Sequence, residues 1–270
     1  MTEAILSLPP VLGALLAVGV TILLALVPYA ALRAMFLRAG ETLTNDLANS
    51  IVVRVSALHA LILALVFAQE LVNLRDINTA ANREAVLVND VFFDLARYAA
   101  PEQTTPIREQ VALYAHLVLA EEWDGMAETG SLLPAAWDSW QAAYGGILEL
   151  APENPRQEAL KDIMLADIRE ISGLRRTREN AGLAGVPGMF LAAAVLGVVL
   201  TAAAFYPHRP TRQTLTLIAI FASYTGLIVY FVIAFAHPYN APGRANPLGF
   251  EQVYGGQLGE WGRRAAGVGD

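Results

Sequence analysis

Four stretches of this chain are apolar enough to leave water, and the fold must be built around them. A bilayer core takes about 20 apolar residues in helical form. Val11 to Leu32 is free of charge, with Pro28 as a kink point. A second, shorter stretch lies between Arg54 and Glu70. Arg54 can lengthen it by snorkelling, and Gln69 and Glu70 can sit at the interface. Asn180 to Pro207 and Gln213 to Ala236 supply a third and a fourth, joined by the polar turn YPHRPTR. Only 16% of the residues are charged and 55% are hydrophobic, whereas a soluble domain is about one quarter charged. The expectation is an all-α, multi-pass membrane protein with four transmembrane helices, two plus two.

The gap between the second and third spans, residues 76–180, is not membrane material. Ile77, Ala81, Ala85, Val88 and Leu95 recur at helical spacing, as do Ile107, Val111, Tyr114, Leu117 and Val118. Trp137, Trp140, Tyr144 and Ile147 form a third stripe, read as bundle core and not as an aromatic ligand box. Leu160, Ile163, Asp167, Ile168, Ile171 and Leu174 form most of a fourth. A period of three to four predicts amphipathic helices packed as a bundle. The division expected is spans one and two in 1–75, a soluble helical domain in 76–180, spans three and four in 181–237, and a C-terminal segment in 238–270. The last ends in GGQLGEWGRRAAGVGD, which reads as a flexible tail. The N-terminus MTEAILSLPP has an acidic residue and no basic one, unlike a cleaved signal peptide, so it is expected to be retained.

An even number of spans puts both termini and the bundle on one side. That side carries Arg75, Arg83, Arg169, Arg175, Arg176, Arg178 and Arg244, against Arg33, Arg38, Arg54, Arg209 and Arg212 on the other. The excess predicts a cytoplasmic bundle. The basic residues of LRRTREN before the third span are read either as a topological anchor or as partners for acidic lipid headgroups or the domain's own carboxylates.

Chemistry-bearing motifs are scarce. The net charge of −7 does not suit a nucleic-acid partner. With no cysteine, disulfides and thiolate sites are excluded. His59, His116, His208 and His237 form no HExxH pattern, and no GxSxG, GxGxxG or GxxxxGK[ST] motif occurs. EEWDGMAE lacks the ligand alternation of an EF-hand and reads as a solvated acidic helix end. No catalytic residue, metal site or cofactor is expected, and the chain is not expected to be an enzyme.

The second span is the exception. On a helix, Ser56, His59, Leu63, Phe67 and Glu70 fall within a sector of roughly 80°, with Asn73 just outside. Ionisable groups at membrane depth face protein or water. One reading is a pore face, with Leu63 and Phe67 as an apolar constriction between polar mouths. The other is a surface that packs on the remaining helices. Both are open from the residues alone.

The run FAQELVNLRDINTAANREAVLVNDVFFDLARYAAP resembles the bestrophin-like domain-of-unknown-function family of bacterial membrane proteins. LRRTRENAGLAGVPGMF and AHPYNAPGRANPLGFEQVY resemble that family's segments before its third span and after its fourth. The resemblance covers roughly residues 50 to 255. His237 and Tyr239 depart from the expected pattern, LRDINTAANRE has no tryptophan, and the calcium-binding acidic cluster of animal bestrophins has no counterpart. The resemblance implies a bestrophin-like homo-oligomeric ion channel in a bacterial inner membrane, with five copies in a ring and the second span lining the pore. The corresponding pore positions would be His59, Leu63 and Phe67, with Asn73 and Arg75 at the mouth or coupling to the soluble domain. Rings of Glu70 would lean the channel towards cations among small ions, and His59 would add pH sensitivity. The alternative is a membrane-anchored interaction or sensory protein whose helical domain binds a partner or ligand.

Overall fold

The computed structural model describes residues 6–38, 45–186 and 188–268. The start of the expected N-terminal segment, residues 1–5, lies outside the described residues. Every regular element among them is helical: α1 (Pro10–Arg38), α2 (Asn45–Arg97), α3 (Pro101–Leu117), a π-helical turn (Val118–Glu122), α4 (Trp123–Thr129), α5 (Pro134–Glu149), α6 (Pro155–Ala184), α7 (Gly188–Ala204), α8 (Arg212–Phe235), α9 (Leu248–Tyr254) and α10 (Gln257–Ala265). They form two compact units. The first comprises Met1–Asn73 and Gly185–Gly243, the second Leu74–Ala184 and Arg244–Asp270.

Among the described residues, three helical stretches are long and apolar enough to cross a membrane: Pro10–Phe36, Ala48–Arg97 and Arg212–Phe235. The fourth apolar helix, α7, has 17 residues, about 25 Å of rise against a core of about 30 Å. The third span was expected to begin at Asn180. Instead Asn180 belongs to α6, which runs on to Ala184, and α7 starts separately at Gly188. The sequence GVPG lies at the break, and Gly185 takes a φ of 51°, which ends a helix at no steric cost to glycine. By contrast α2 runs unbroken for 53 residues, about 80 Å, because it contains neither proline nor glycine.

Small residues hold the membrane-type unit together. Ala25, Val198, Ala202, Ile218 and Ala222 pack with Tyr29 where α1, α7 and α8 meet, and Ala17 packs with Tyr230. Without an aqueous driving force, spans associate through such close contacts. The polar turn between α7 and α8 is tied to α1. Arg33 Nη1 donates to the carbonyls of Tyr206, Pro207 and His208 at 3.0, 3.3 and 2.7 Å, and Tyr29 Oη donates to His208 O at 2.9 Å. Arg33 thus satisfies carbonyls that follow the end of α7.

In the second unit the first two expected stripes are core. Ile77, Ala81, Ala85, Val88 and Leu95 are buried, as are Ile107, Val111, Tyr114, Leu117 and Val118. The other two are displaced. On α5 the buried positions are Ala136, Ser139, Ala143 and Ile147. Trp137, Trp140 and Tyr144 are half-buried beside them. Trp140 stacks on Tyr144 with ring centroids 5.4 Å apart, and its Nε1 donates to Ile168 O at 2.9 Å, which satisfies its polar edge. On α6 Ile163 is exposed, and the buried line runs Met164, Ile168, Ile171, Arg175, Arg178.

The expected tail is largely ordered structure. Residues 248–254 and 257–265 form α9 and α10, with Phe250 and Leu258 buried. Arg108 of α3 lies between the rings of Phe92 and Trp261, its guanidinium carbon 4.2 Å from each centroid. Two glycines of this segment are contact points: a Cβ on Gly262 would lie 2.8 Å from Ala112 O, and one on Gly259 would overlap Tyr254 O. Close backbone approach uses glycine for the same reason that a flexible tail does.

Asp167 on α6 gives the unit a pH dependence. Burial pushes its carboxyl up, and the carboxylates of Asp90 and Asp94 push it the same way. An acid raised in the native state stabilises the fold at low pH and loses that contribution as pH rises through its raised value. Asp167→Asn is therefore expected to raise the unfolding temperature at neutral pH, with the gain closing towards acid pH. A gain of constant size across the pH range would show that the charge is not its source.

Candidate functional site: the second helix and a buried charge cluster

The face of α2 singled out in the sequence is the one its own chain covers. His59, Leu63 and Glu70 are buried, Ser56, Phe67 and Asn73 are half-buried, and Arg75 is exposed. His59 packs on Gly197 of α7, where any Cβ would overlap its imidazole. Its ring centroid is 6.1 Å from that of Phe221 on α8. One turn on, Leu63 borders an apolar pocket with Phe190, Leu191, Ala194 and Ile233. Phe67 meets Phe235 at 5.8 Å between centroids. Glu70 accepts from Asn73 Nδ2 at 3.3 Å, Asn73 accepts from Gln69 Nε2 at 2.9 Å, and His237 lies within electrostatic reach of Glu70. Helical geometry correctly groups Ser56, His59, Leu63, Phe67 and Glu70, but in the single chain they face α7, α8 and the segment that follows α8. A face holding an imidazole and a carboxylate is costly against lipid, and neighbouring helices are the nearest alternative.

The uncovered face lies on the other side of the same helix. Leu58, Leu61, Leu65 and Val72 are exposed, Leu65 by 63%, and Arg54 and Gln69 are exposed with them. At about 100° per residue, Arg54, Leu58, Leu61, Leu65 and Val72 share a sector of roughly 60°.

The second unit contains a buried charge cluster that the sequence offered only in outline, as a pairing of LRRTREN with the domain's own carboxylates. Arg175, Arg178, Glu84 and Glu122 are sealed from solvent. Arg178 donates to Glu84 at 2.7 and 3.0 Å and to Glu122 at 3.0 Å. Arg175 donates to Glu122 through both Nη atoms, and also to Leu133 O at 3.1 Å and Tyr114 Oη at 3.3 Å. Tyr114 donates to Glu84. Its hydroxyl is pushed well above the usual phenol range by burial and by the Glu84 carboxylate, so it stays a donor. Trp137 and Trp123 lie over the two guanidinium groups, at 4.8 and 5.2 Å. Two cations and two anions balance, which lets α2, α3, the π-turn and α6 share one polar core. The expected solvated acidic end EEWDGMAE is thus split: Glu122 and Trp123 are buried, while the exposed Asp124 pairs with Arg244. LRRTREN likewise contributes core residues, not only a topological anchor. Its signal was spacing, since Arg175 and Arg178 continue the line of Met164, Ile168 and Ile171. Their burial was not legible, because charge is rare in a core without a partner and the partners are distant in sequence.

The family model of the bestrophin-like domain matches residues 15–247. The chain belongs to the bestrophin-like family. Among solved structures, it is similar to a bacterial bestrophin homologue from Klebsiella pneumoniae, phased by zinc anomalous scattering. The TM-score is 0.61 and the identity 11%, covering 94% of this chain and 97% of that one. Two point variants of the Klebsiella pneumoniae homologue match with TM-scores of 0.62 and 0.63 at 10% and 11% identity, covering 94% of this chain and 99% of theirs. At this identity the likeness is one of fold. No curated protein matches the sequence.

Within this bestrophin-like chain, two of the stretches that carry the resemblance meet. Asn78 Oδ1 accepts from Asn246 N and Asn82 Oδ1 from Gly249 N, each at 3.0 Å. The asparagines of INTAANREA on α2 therefore receive the start of α9. Gly249 sits close over Asn82, where a Cβ would come within 2.8 Å of its Cα. Trp123 Nε1 donates to Ala245 O at 3.1 Å in the same segment. These contacts give RANPLG a structural role as a clasp on α2.

Proposed function

We propose that this chain is the subunit of a bestrophin-type ion channel, a ring of identical copies in the bacterial inner membrane with α2 lining the pore. The observation that carries the reading is the free apolar face of α2, Leu58, Leu61, Leu65 and Val72, on a membrane-length helix in a bestrophin-like fold. Copies arranged about an axis would turn those leucines towards each other, and a ring of apolar side chains gates ions by dewetting. The resemblance supports five copies, four spans and a cytoplasmic second unit. The lining residues implied at the sequence level, His59, Leu63 and Phe67, back this face from inside the subunit. They reach a lumen only if α7 and α8 draw away. The lean towards cations rests on Glu70, whose carboxylate is buried with Asn73 beside it in the single chain and would join a ring only if the helices covering it draw away. Asn73 and Arg75 close the membrane-type part of the helix, and its continuity supports coupling to the second unit.

The chain has no cysteine, which makes single-cysteine labelling clean. In liposomes, wild type is expected to pass small ions. Leu61→Cys and Leu65→Cys should lose flux when treated with a charged thiosulfonate reagent, while Leu63→Cys should be indifferent. Block at Leu63→Cys alone would move the pore to the inner face, and tightness to every small ion would end the channel reading.

A further inference from the structure

We infer that His59 is a proton-operated latch between α2, α7 and α8, closed when the imidazole is neutral. Only 3% of His59 is exposed, and neither Nδ1 nor Nε2 has a hydrogen-bond partner. Its place in the junction is cut to the ring: Gly197 alone among residue types leaves room for it, and Phe221 flanks it. Among the described residues, no counter-charge faces it. Helix α7 contains no ionisable residue, and α8 contains Arg212, Tyr224 and Tyr230. Arg212 stands at the first residue of α8, Tyr224 is exposed, and Tyr230 packs against Ala17 on α1. On α1, Tyr29 and Arg33 are committed to the carbonyls beyond α7. On α2 itself, Arg54 lies on the opposite side, and Glu70 stands three turns further on with Asn73.

A neutral imidazole left without partners is tolerated in such a pocket at the cost of two unmade hydrogen bonds, one donated and one accepted. The imidazolium carries a full charge and two N–H donors, and a buried charge with no acceptor is far more expensive. Protonation and the packed junction are therefore mutually exclusive. Acid drives the ring out from over Gly197, and α2 parts from α7. This is the movement that would bring the Leu63 and Phe67 side of α2 out of the subunit interior. The latch rests on the channel reading only for its effect on ion flux. The separation of helices is independent of it.

The test places spin labels on two exposed positions, Leu61→Cys on α2 and Leu200→Cys on α7, in full-length protein diluted with unlabelled chains. Pulsed dipolar distances are compared at about pH 7.5 and about pH 4.5, the second well below the ordinary imidazole value near 6.5. The distance distribution is expected to lengthen and broaden in acid. His59→Gln and His59→Leu, which cannot gain the charge, should keep the neutral-pH distribution at both values. Because the two variants differ in polarity and shape, a folding defect in one leaves the other to decide. An unchanged distribution in acid, or an acid response that survives both substitutions, would overturn the latch. Acid lengthening without ion flux at either pH would uphold it while removing the channel reading.

Discussion

Arg178→Met is expected to destabilise the second unit by about 3–5 kcal/mol, the usual cost of breaking a buried ion pair by removing one partner. Arg178 alone bridges both carboxylates, holding Glu84 at 2.7 Å and Glu122 at 3.0 Å. Without it one guanidinium faces two sealed carboxylates, and Glu84 keeps only the Tyr114 hydroxyl among these contacts. Methionine fills much of the volume, so the loss reads the charge and not a cavity. The double variant Arg178→Met/Glu84→Gln restores the balance of one cation to one anion and should recover a large part of the loss. Urea unfolding of full-length protein in detergent, followed by tryptophan fluorescence, measures both. Trp123 and Trp137, two of the four tryptophans, stand over the two arginines, so the cluster contributes to the signal directly. Equal stability of wild type and Arg178→Met would mean that the cluster does not hold the unit together.

Gly226→Leu is expected to be nearly as damaging to the first unit, by a different route. A Cβ at 226 on α8 would lie 2.9 Å from Val18 Cα and 3.0 Å from Ala17 O, both backbone atoms of α1. Backbone cannot rotate aside as a flexible side chain can. Overpacking a well-filled contact costs about 1–3 kcal/mol, and leucine adds three more carbons to a methyl that already fails to fit. The same interface carries Thr21, whose hydroxyl bonds back to Ala17 O at 2.8 Å, so displacement of α1 also disturbs that turn. Thermal unfolding in detergent should show Gly226→Leu well below Gly226→Ala, and both below wild type. Substitution at Gly19, which meets nothing within 4 Å, is the control: Gly19→Leu should leave the α1–α8 contact intact.

Much of this architecture is legible in the residues because it follows from solvent and period. Apolar length marks Pro10–Phe36, Ala48–Arg97 and Arg212–Phe235 as membrane-type helices. The absence of proline and glycine carries α2 through from Asn45 to Arg97. The three-to-four spacing of Ile77 to Leu95 and of Ile107 to Val118 gives the bundle core. The sector of Ser56, His59, Leu63, Phe67 and Glu70 is also a consequence of helical period, and those residues do share a face.

What the residues do not contain is the identity of the neighbour. A sector with an imidazole, two large apolar groups and a carboxylate suits a watery pore or a packed junction equally, because both shield polar atoms from lipid. Only the positions of Gly197, Phe221 and Phe235, distant in sequence, show that one chain covers it. The same holds for Arg175 and Arg178. An arginine is priced as surface until its partners are known, and Glu84 and Glu122 reach it from 94 and 56 residues away. Glycine is ambiguous for a related reason. It loosens a free chain but also permits backbone contact, and in α10 the second use prevails. Local period and solvent preference were thus set by the sequence itself, since they act over a few neighbouring residues. Charge burial, face assignment and glycine contacts were decided by tertiary structure, because their free energies depend on groups that the chain brings together only on folding.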